Sequence, residues 1–171
     1  GNDGTLTNGP TKAIGKLGQA LDLDGTNDYV DLGSAASLDS IVNLSICAWI
    51  NSSTTSYADI ISKYGSAGAW EFLVDNVNPG PPRLAFVRGF SSQGGYWLGP
   101  SGTIVAGTWK HVCVTYNNSS TANDPIFYED GNVVAVTEQE TPSGTLLSDA
   151  AATAMIGGYH DGSSPQITYD G

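Results

Sequence analysis

Trp109-Lys110-His111-Val112-Cys113-Val114-Thr115-Tyr116 reads as a β-strand. β-Branched and aromatic residues dominate it, as they do on pleated, half-buried surfaces. Period-2 alternation sets Cys113 on one face with His111 and Thr115. A second run, Leu44-Ser45-Ile46-Cys47-Ala48-Trp49-Ile50, has the same character and sets Cys47 with Ser45 and Trp49. Shorter alternating runs lie between and around these two. They are Gln19 to Leu23, Tyr29 to Leu32, Ala58 to Lys63, Trp70 to Val74, Arg83 to Arg88, Tyr96 to Leu98, Ile126 to Glu129, Val133 to Val136 and Ala154 to Ile156.

Turn signals separate the runs. Asp24-Gly25-Thr26-Asn27-Asp28 is a turn that folds Gln19–Leu23 back onto Tyr29–Leu32 as a hairpin. Asn78-Pro79-Gly80-Pro81-Pro82 is a turn, since proline donates nothing to a sheet ladder. Asp130-Gly131 is a hairpin signal, and Gly157-Gly158 a late glycine turn. Ser34 to Ile41 holds at most one helical turn, with Ser34 as a candidate cap. The pattern predicts an all-β antiparallel sandwich or barrel.

Composition agrees. The chain has 171 residues, with 22 glycines and 8 prolines, and is read as a single domain over 1–171. Hydrophobic residues make up 40%, enough for a core. Six basic residues stand against 17 acidic ones, for a net charge of −11. Nucleic acid and anionic membrane surfaces need a positive footprint that this chain lacks. No apolar run approaches transmembrane length. Gly1 to Gly4 reads like the interior of a longer chain.

Several stretches resemble laminin G-like domains of the concanavalin A-like superfamily in order and spacing. Gly15-Lys16-Leu17-Gly18-Gln19-Ala20-Leu21-Asp22-Leu23-Asp24-Gly25-Thr26-Asn27-Asp28-Tyr29-Val30 is similar to their opening hairpin. Leu44 to Ile50 and Ile60-Ile61-Ser62-Lys63 resemble their next core strands. Gly107 to Tyr116 resembles their most recognisable segment. Phe127-Tyr128-Glu129-Asp130-Gly131 and Met155-Ile156-Gly157-Gly158 follow in family order. The resemblance implies a concanavalin A-like jelly roll. It also implies one more strand before Gly1 and one after Tyr169-Asp170-Gly171, so the sandwich is expected to lack terminal strands.

Pentraxins, a branch of the same superfamily, carry a disulfide between strands equivalent to those of Cys47 and Cys113. The resemblance therefore implies a Cys47–Cys113 bridge and an oxidising, extracellular setting. Adjacent strands bring two such side chains within reach. Two buried free thiols are the alternative.

The family often carries calcium. Asp22, Asp24, Asn27, Asp28 and Asp31 surround one turn, and hard cations want several oxygens in one loop. Ordinary Asp and Asn turn chemistry is the competing reading. The late loop Gly158-Tyr159-His160-Asp161-Gly162 stands where pentraxins hold two calcium ions. It keeps Asp161 but has Tyr159 and His160 where acids or amides would serve.

Sugar rings stack on aromatic side chains, so Tyr96, Trp97, Trp70 beside the hydrogen-bonder Glu71, and Tyr159 beside the hydrogen-bonder His160 are the candidate ligand residues. Arg83 and Arg88 are candidate grips for a hydroxyl or carboxylate. Core packing is the competing reading for each ring. The strand triplet Glu-x-Asp-x-x-Glu of laminarinase-type relatives does not occur, nor a Ser/His/Asp set, so no enzyme is expected. Asn43, Asn51, Asn117 and Asn118 each open a glycosylation sequon. The expected function is extracellular recognition of a glycan or glycoconjugate, with calcium as a structural cofactor. The alternative is an adhesive or structural module that contacts neighbouring protein chains.

Overall fold

A computed structural model describes residues 2–53, 57–65, 68–76, 80–161 and 163–171. In chain order the strands begin with β1 (Thr5–Thr7), β2 (Thr11–Ile14), β3 (Gln19–Asp22), β4 (Tyr29–Gly33), β5 (Asn43–Ile50), β6 (Ala58–Gly65), β7 (Gly68–Asp75) and β8 (Arg83–Arg88). They continue with β9 (Gly95–Leu98), β10 (Lys110–Asn117), β11 (Ile126–Glu129), β12 (Asn132–Val134), β13 (Thr137–Glu140), β14 (Thr153–Ile156), β15 (Gly158–His160) and β16 (Pro165–Ile167). Among the described residues the only helical element is a 3-10 turn at Ala36–Leu38. It falls inside the predicted stretch, but Ala35 rather than Ser34 is its cap residue.

Eight strands form one sheet in the order β1-β4-β14-β6-β7-β8-β9-β13. Four form a second in the order β12-β11-β10-β5. The β15–β16 and β2–β3 pairs stand apart as hairpins. Every strand pairing is antiparallel. This is the expected all-β, concanavalin A-like sandwich.

Alternation explains how the sheets close on one another. On β7, Trp70, Phe72 and Val74 enter the core, and β8 adds Leu84 and Phe86. Val112, Val114 and Tyr116 of β10 and Phe127 of β11 meet them from the other sheet. Phe72 and Phe127 have ring centroids 6.3 Å apart. Tyr116 stands 5.5 Å from Phe86 and 5.1 Å from Trp97. At Asp130 and Gly131 both φ angles are positive, 49° and 81°. That is the primed turn that matches hairpin twist, and it joins β11 to β12.

Buried charge ties the loops to this frame. Lys63 and Arg88 are both fully enclosed. Lys63 reaches Asp39 at 2.8 Å and Asp149 at 3.6 Å, and Arg88 reaches Asp149 at 3.1 Å. Asn118 closes the network by accepting from Arg88 Nε and donating to the carbonyls of Ile41 and Val42. Its sequon is thus spent on packing, and Asn118 is not free to carry a glycan. Asp149 is buried, yet the Ser40 amide and the Arg88 guanidinium hold its carboxyl below the usual range.

Two expectations change. Gln19–Leu23 and Tyr29–Leu32 do not pair with each other. Instead β3 pairs with β2, and β4 pairs with β1 and β14. The turn between them hands the chain from the β2–β3 hairpin to the eight-stranded sheet. Strands β1 and β2 also precede the hairpin read as the opening one. The expected turn at 78–82 lies partly outside the described residues, at Asn78 and Pro79.

The last residues join β3 and the end of β5. Leu23 and Gly171 exchange backbone bonds of 3.1 and 3.0 Å, and the Ser53 amide donates to the Asp170 carbonyl. A Cβ on Gly171 would collide with the Asn51 carbonyl, so glycine is required there. A cavity of about 310 Å³ follows, lined by Gln19–Leu21 on one side and Ala48–Asn51 on the other.

Removing the Asp149 carboxylate takes the paired carboxylate from buried Arg88 and leaves Lys63 with Asp39. Asp149→Ala should lower unfolding free energy by about 3–5 kcal/mol, read as a reduced urea midpoint. A loss below about 1 kcal/mol would show that Asp149 is not what compensates Arg88.

Candidate functional site

The face of the eight-stranded sheet turned away from the core carries the most unusual chemistry in the molecule. Parity puts it there. Because Trp70, Phe72 and Val74 point inward, Glu71, Leu73 and Asp75 point the other way. In register, Glu71 lies beside Ser62 and Val87, and Leu73 beside Asp59 and Ala85. A bulge between Asp59 and Ile61 keeps Asp59 and Ser62 on this same face while Ile60 serves the core. Tyr96 follows Val87 in the row, and Leu98 follows Ala85. Leu73, Ala85 and Leu98 form a small buried cluster, with Tyr57, Val87 and Tyr96 packed against it.

Asp59 and Glu71 are buried side by side. The Tyr57 hydroxyl donates to Glu71 Oε2 at 3.3 Å. Thr168 receives the Asp59 amide at 2.8 Å and donates its own hydroxyl to Asp59 Oδ2 at 3.1 Å. Asp59 Oδ1 is buried and meets no N–H or O–H donor among the described residues. A side-chain interaction between the two carboxyls raises Glu71 and lowers Asp59. One shared proton satisfies both acids, whereas two bare carboxylates there would repel. Burial, and then the Asp59 charge, push Glu71 up to about 8. Burial also raises Asp59, against hydrogen bonds that lower it.

The β15–β16 hairpin brings a further ring to this face. Ser62 donates to the Gly158 carbonyl at 2.7 Å, and Tyr159 packs edge-on against Tyr64 at 5.4 Å. The Tyr159 hydroxyl is raised by burial and by the charge of Asp59 and Glu71, which places it in their field. Tyr57, Tyr96, Tyr159 and His160 all keep part of their surface in solvent.

Of the ring residues expected from sequence, Tyr96, Tyr159 and His160 have exposed surface. Trp70 and Trp97 do not, at 3% and 0% exposure. Both lie between the sheets, Trp97 against Phe86 and Tyr116 with its indole N–H on Asp124. A ring with no exposed face cannot stack on a sugar, so both are core residues. Arg83 is paired with Asp75, and Arg88 belongs to the buried network. Tyr57 and Asp59 had no part in the expected site, and Glu71 entered it only as the hydrogen-bonder beside Trp70, although the parity of Glu71 and Asp75 against Trp70 was a usable signal.

The calcium residues are used locally instead. Asp24 Oδ1 accepts the Thr26 and Asn27 amides at 2.8 and 3.1 Å, which holds its carboxyl low. The Asn27 carbonyl accepts from Asn8, and Asp28 is buried. Asp161 Oδ1 accepts the Ser163 and Ser164 amides, and its Oδ2 accepts from Gln166. Gly162 of that loop lies outside the described residues. Carboxylates ringed by N–H donors form turns, not oxygen cages. No three described acids converge on one point. The residues as placed do not fit calcium.

Cys47 and Cys113 form the expected disulfide. Among the described residues no helix is long and apolar enough to cross a membrane. The family model described as the concanavalin A-like lectin/glucanases superfamily matches residues 24–168. No curated protein matches the chain.

A raised acid binds more protons folded than unfolded, so stability is fullest at low pH and is lost as pH rises towards the folded value. Wild-type stability should fall between the ordinary carboxylate range and about pH 8 for Glu71. Glu71→Gln supplies a permanent N–H donor to Asp59. It should flatten that slope and exceed the wild type at pH 8 by on the order of 1–3 kcal/mol. Urea melts at pH 5 and pH 8 check this, and identical slopes in the two proteins would contradict a shared proton.

Proposed function

The chain belongs to the concanavalin A-like lectin/glucanases superfamily, and from that premise we propose that it is an extracellular, non-catalytic carbohydrate-binding module. Membership supports a carbohydrate-binding kind of module and nothing finer. The finer reading rests on one observation. Three part-exposed tyrosines, Tyr57, Tyr96 and Tyr159, share a sheet face with the buried Asp59–Glu71 pair. Tyrosine rings offer flat apolar faces to the C–H side of a pyranose, and their hydroxyls reach its oxygens. His160 borders Tyr159 at the hairpin. The pair beneath carries net negative charge, as does the whole chain at −11. The ligand class is therefore neutral sugars, since acidic ones meet repulsion.

Two carboxyls also suggest catalysis, and geometry argues against it. Glycosidase carboxyls stand about 5–5.5 Å apart, or about 6.5–9.5 Å when water attacks. Asp59 and Glu71 are buried, and each carboxyl shifts the other's titration directly. Being buried, neither presents a carboxylate to a ligand in solvent. The pair is read as a hydrogen-bonding floor. The disulfide favours an oxidising, extracellular setting.

A second reading has its own support. The β2–β3 hairpin exposes Ile14 at 92% and Leu17 at 76%, beside the cavity between β3 and β5. Exposed apolar groups next to a cavity suit contact with other protein chains.

A neutral-glycan array probed with the purified chain, with calcium and again with chelator, separates these readings. Binding should survive chelation. Tyr96→Ala and Tyr159→Ala should each weaken it about tenfold, as loss of one stacking contact costs about 1 kcal/mol or more. Binding abolished by chelator would contradict the tyrosine site. No binding by folded protein, together with self-association, would favour the chain–chain reading.

A further inference from the structure

The other outer face, that of the four-stranded sheet, carries a different cluster. Cys47 on β5 and Cys113 on β10 are registered partners, and so are Trp49 and His111. All four point away from the core. His111 precedes Cys113 by two residues and shares its face, with Nε2 at 4.0 Å from the Cys113 sulfur. Trp49 lies against the imidazole, ring centroids 5.2 Å apart. The ligand atoms of Cys47, His111 and Cys113 lie within 4.8 Å of one another, and no other such group of His, Cys, Asp or Glu occurs among the described residues. Cys47 is solvent-exposed.

We propose that the Cys47–Cys113 bridge masks a thiophilic metal site, and that reduction opens it to one Zn²⁺ ion held by Cys47, Cys113 and His111. Two thiolates and an imidazole are the donor set zinc favours, and in a tetrahedral site such ligands bond at about 2.0–2.3 Å. The three atoms already stand on one side of the sheet, and solvent supplies the fourth position. The oxidised form cannot bind, because both sulfurs are spent on each other.

The exchange balances. Two molecules of a thiol reductant become one disulfide, and their two electrons and two protons pass to the sulfurs of Cys47 and Cys113 as the S–S bond breaks. Zinc then replaces the two thiol protons, which leave to solvent. Nothing in the ladder needs to move far. The β5–β10 register runs from Lys110↔Ile50 to Asn117↔Asn43 independently of the bridge. Leu44, Ile50, Val112 and Val114 anchor both strands from below. A reduced chain therefore keeps the three ligands in place.

The test uses the 171-residue chain reduced with a phosphine, with far-ultraviolet circular dichroism to follow the sheet. Co²⁺ is the probe. One equivalent should bring up the intense visible bands of a tetrahedral thiolate site and a thiolate-to-metal charge-transfer band, and Zn²⁺ should bleach both. The oxidised chain and a Cys47→Ser/Cys113→Ser variant should show neither. His111→Ala should weaken binding about tenfold or more. Three results would overturn the proposal: a folded, reduced chain that leaves cobalt pale and octahedral, undiminished binding by His111→Ala, or loss of the sheet on reduction. The double serine variant shows whether the sheet survives without the bridge, which separates lost ligands from a lost fold.

Discussion

Trp97, Phe86 and Tyr116 meet in the space between the two sheets, and the rest of the molecule is arranged around that contact. Two rings come from the large sheet and one from the small. Aromatic pairs at such distances add about 0.5–1.5 kcal/mol each beyond the area they bury. They also fix which side of each strand faces inward. Once Trp97 is inside, Tyr96 and Leu98 must be outside. Once Phe72 is inside, Glu71 and Leu73 must be outside. The chemistry of the outer face follows from the packing of the inner one.

That outer face is unusual because it is also partly closed. The β15–β16 hairpin and Thr168 cover Asp59 and Ser62. Tyr57 and Tyr96 cover Leu73, Ala85 and Leu98. An acid covered in this way must pair, bind a cation or keep a proton. Burial pushes both Asp59 and Glu71 above the ordinary carboxylate range, Glu71 further. The aspartates of the loops have the opposite environment. Exposed and ringed by amides, Asp24 and Asp161 are held as stable anions. Residues of one chemical type thus take two roles, set by burial.

Much of this was legible in the sequence. The strands around Leu44–Ile50, Trp70–Val74, Arg83–Arg88 and Trp109–Tyr116 carry strong alternation, and the structure places them close to those limits. Strand β2 was not legible, because Thr11–Ile14 is exposed throughout and has no apolar face to announce it. The pairing of β3 was missed for a related reason. A turn rich in Asp, Gly and Asn marks a reversal, but it does not say whether the chain returns to the same sheet. Tyr96 and Trp97 are strand neighbours, so only one of them can face out. Which one was settled by the partner sheet, whose Tyr116 and Phe127 lie far away in sequence. The Asp59–Glu71 pair joins two strands through a bulge, and a bulge shifts parity without a sequence mark at this site.

The central claim is that the face bearing Tyr57, Glu71, Tyr96 and Tyr159 is the ligand face. Its most direct test is a two-dimensional NMR titration of the isotope-labelled chain with short neutral oligosaccharides. Shifts confined to those four residues and their neighbours on β7, β9 and β15 are the predicted result. Shifts centred on the cavity between β3 and β5, or on the loops of Asp24 and Asp161, would contradict it.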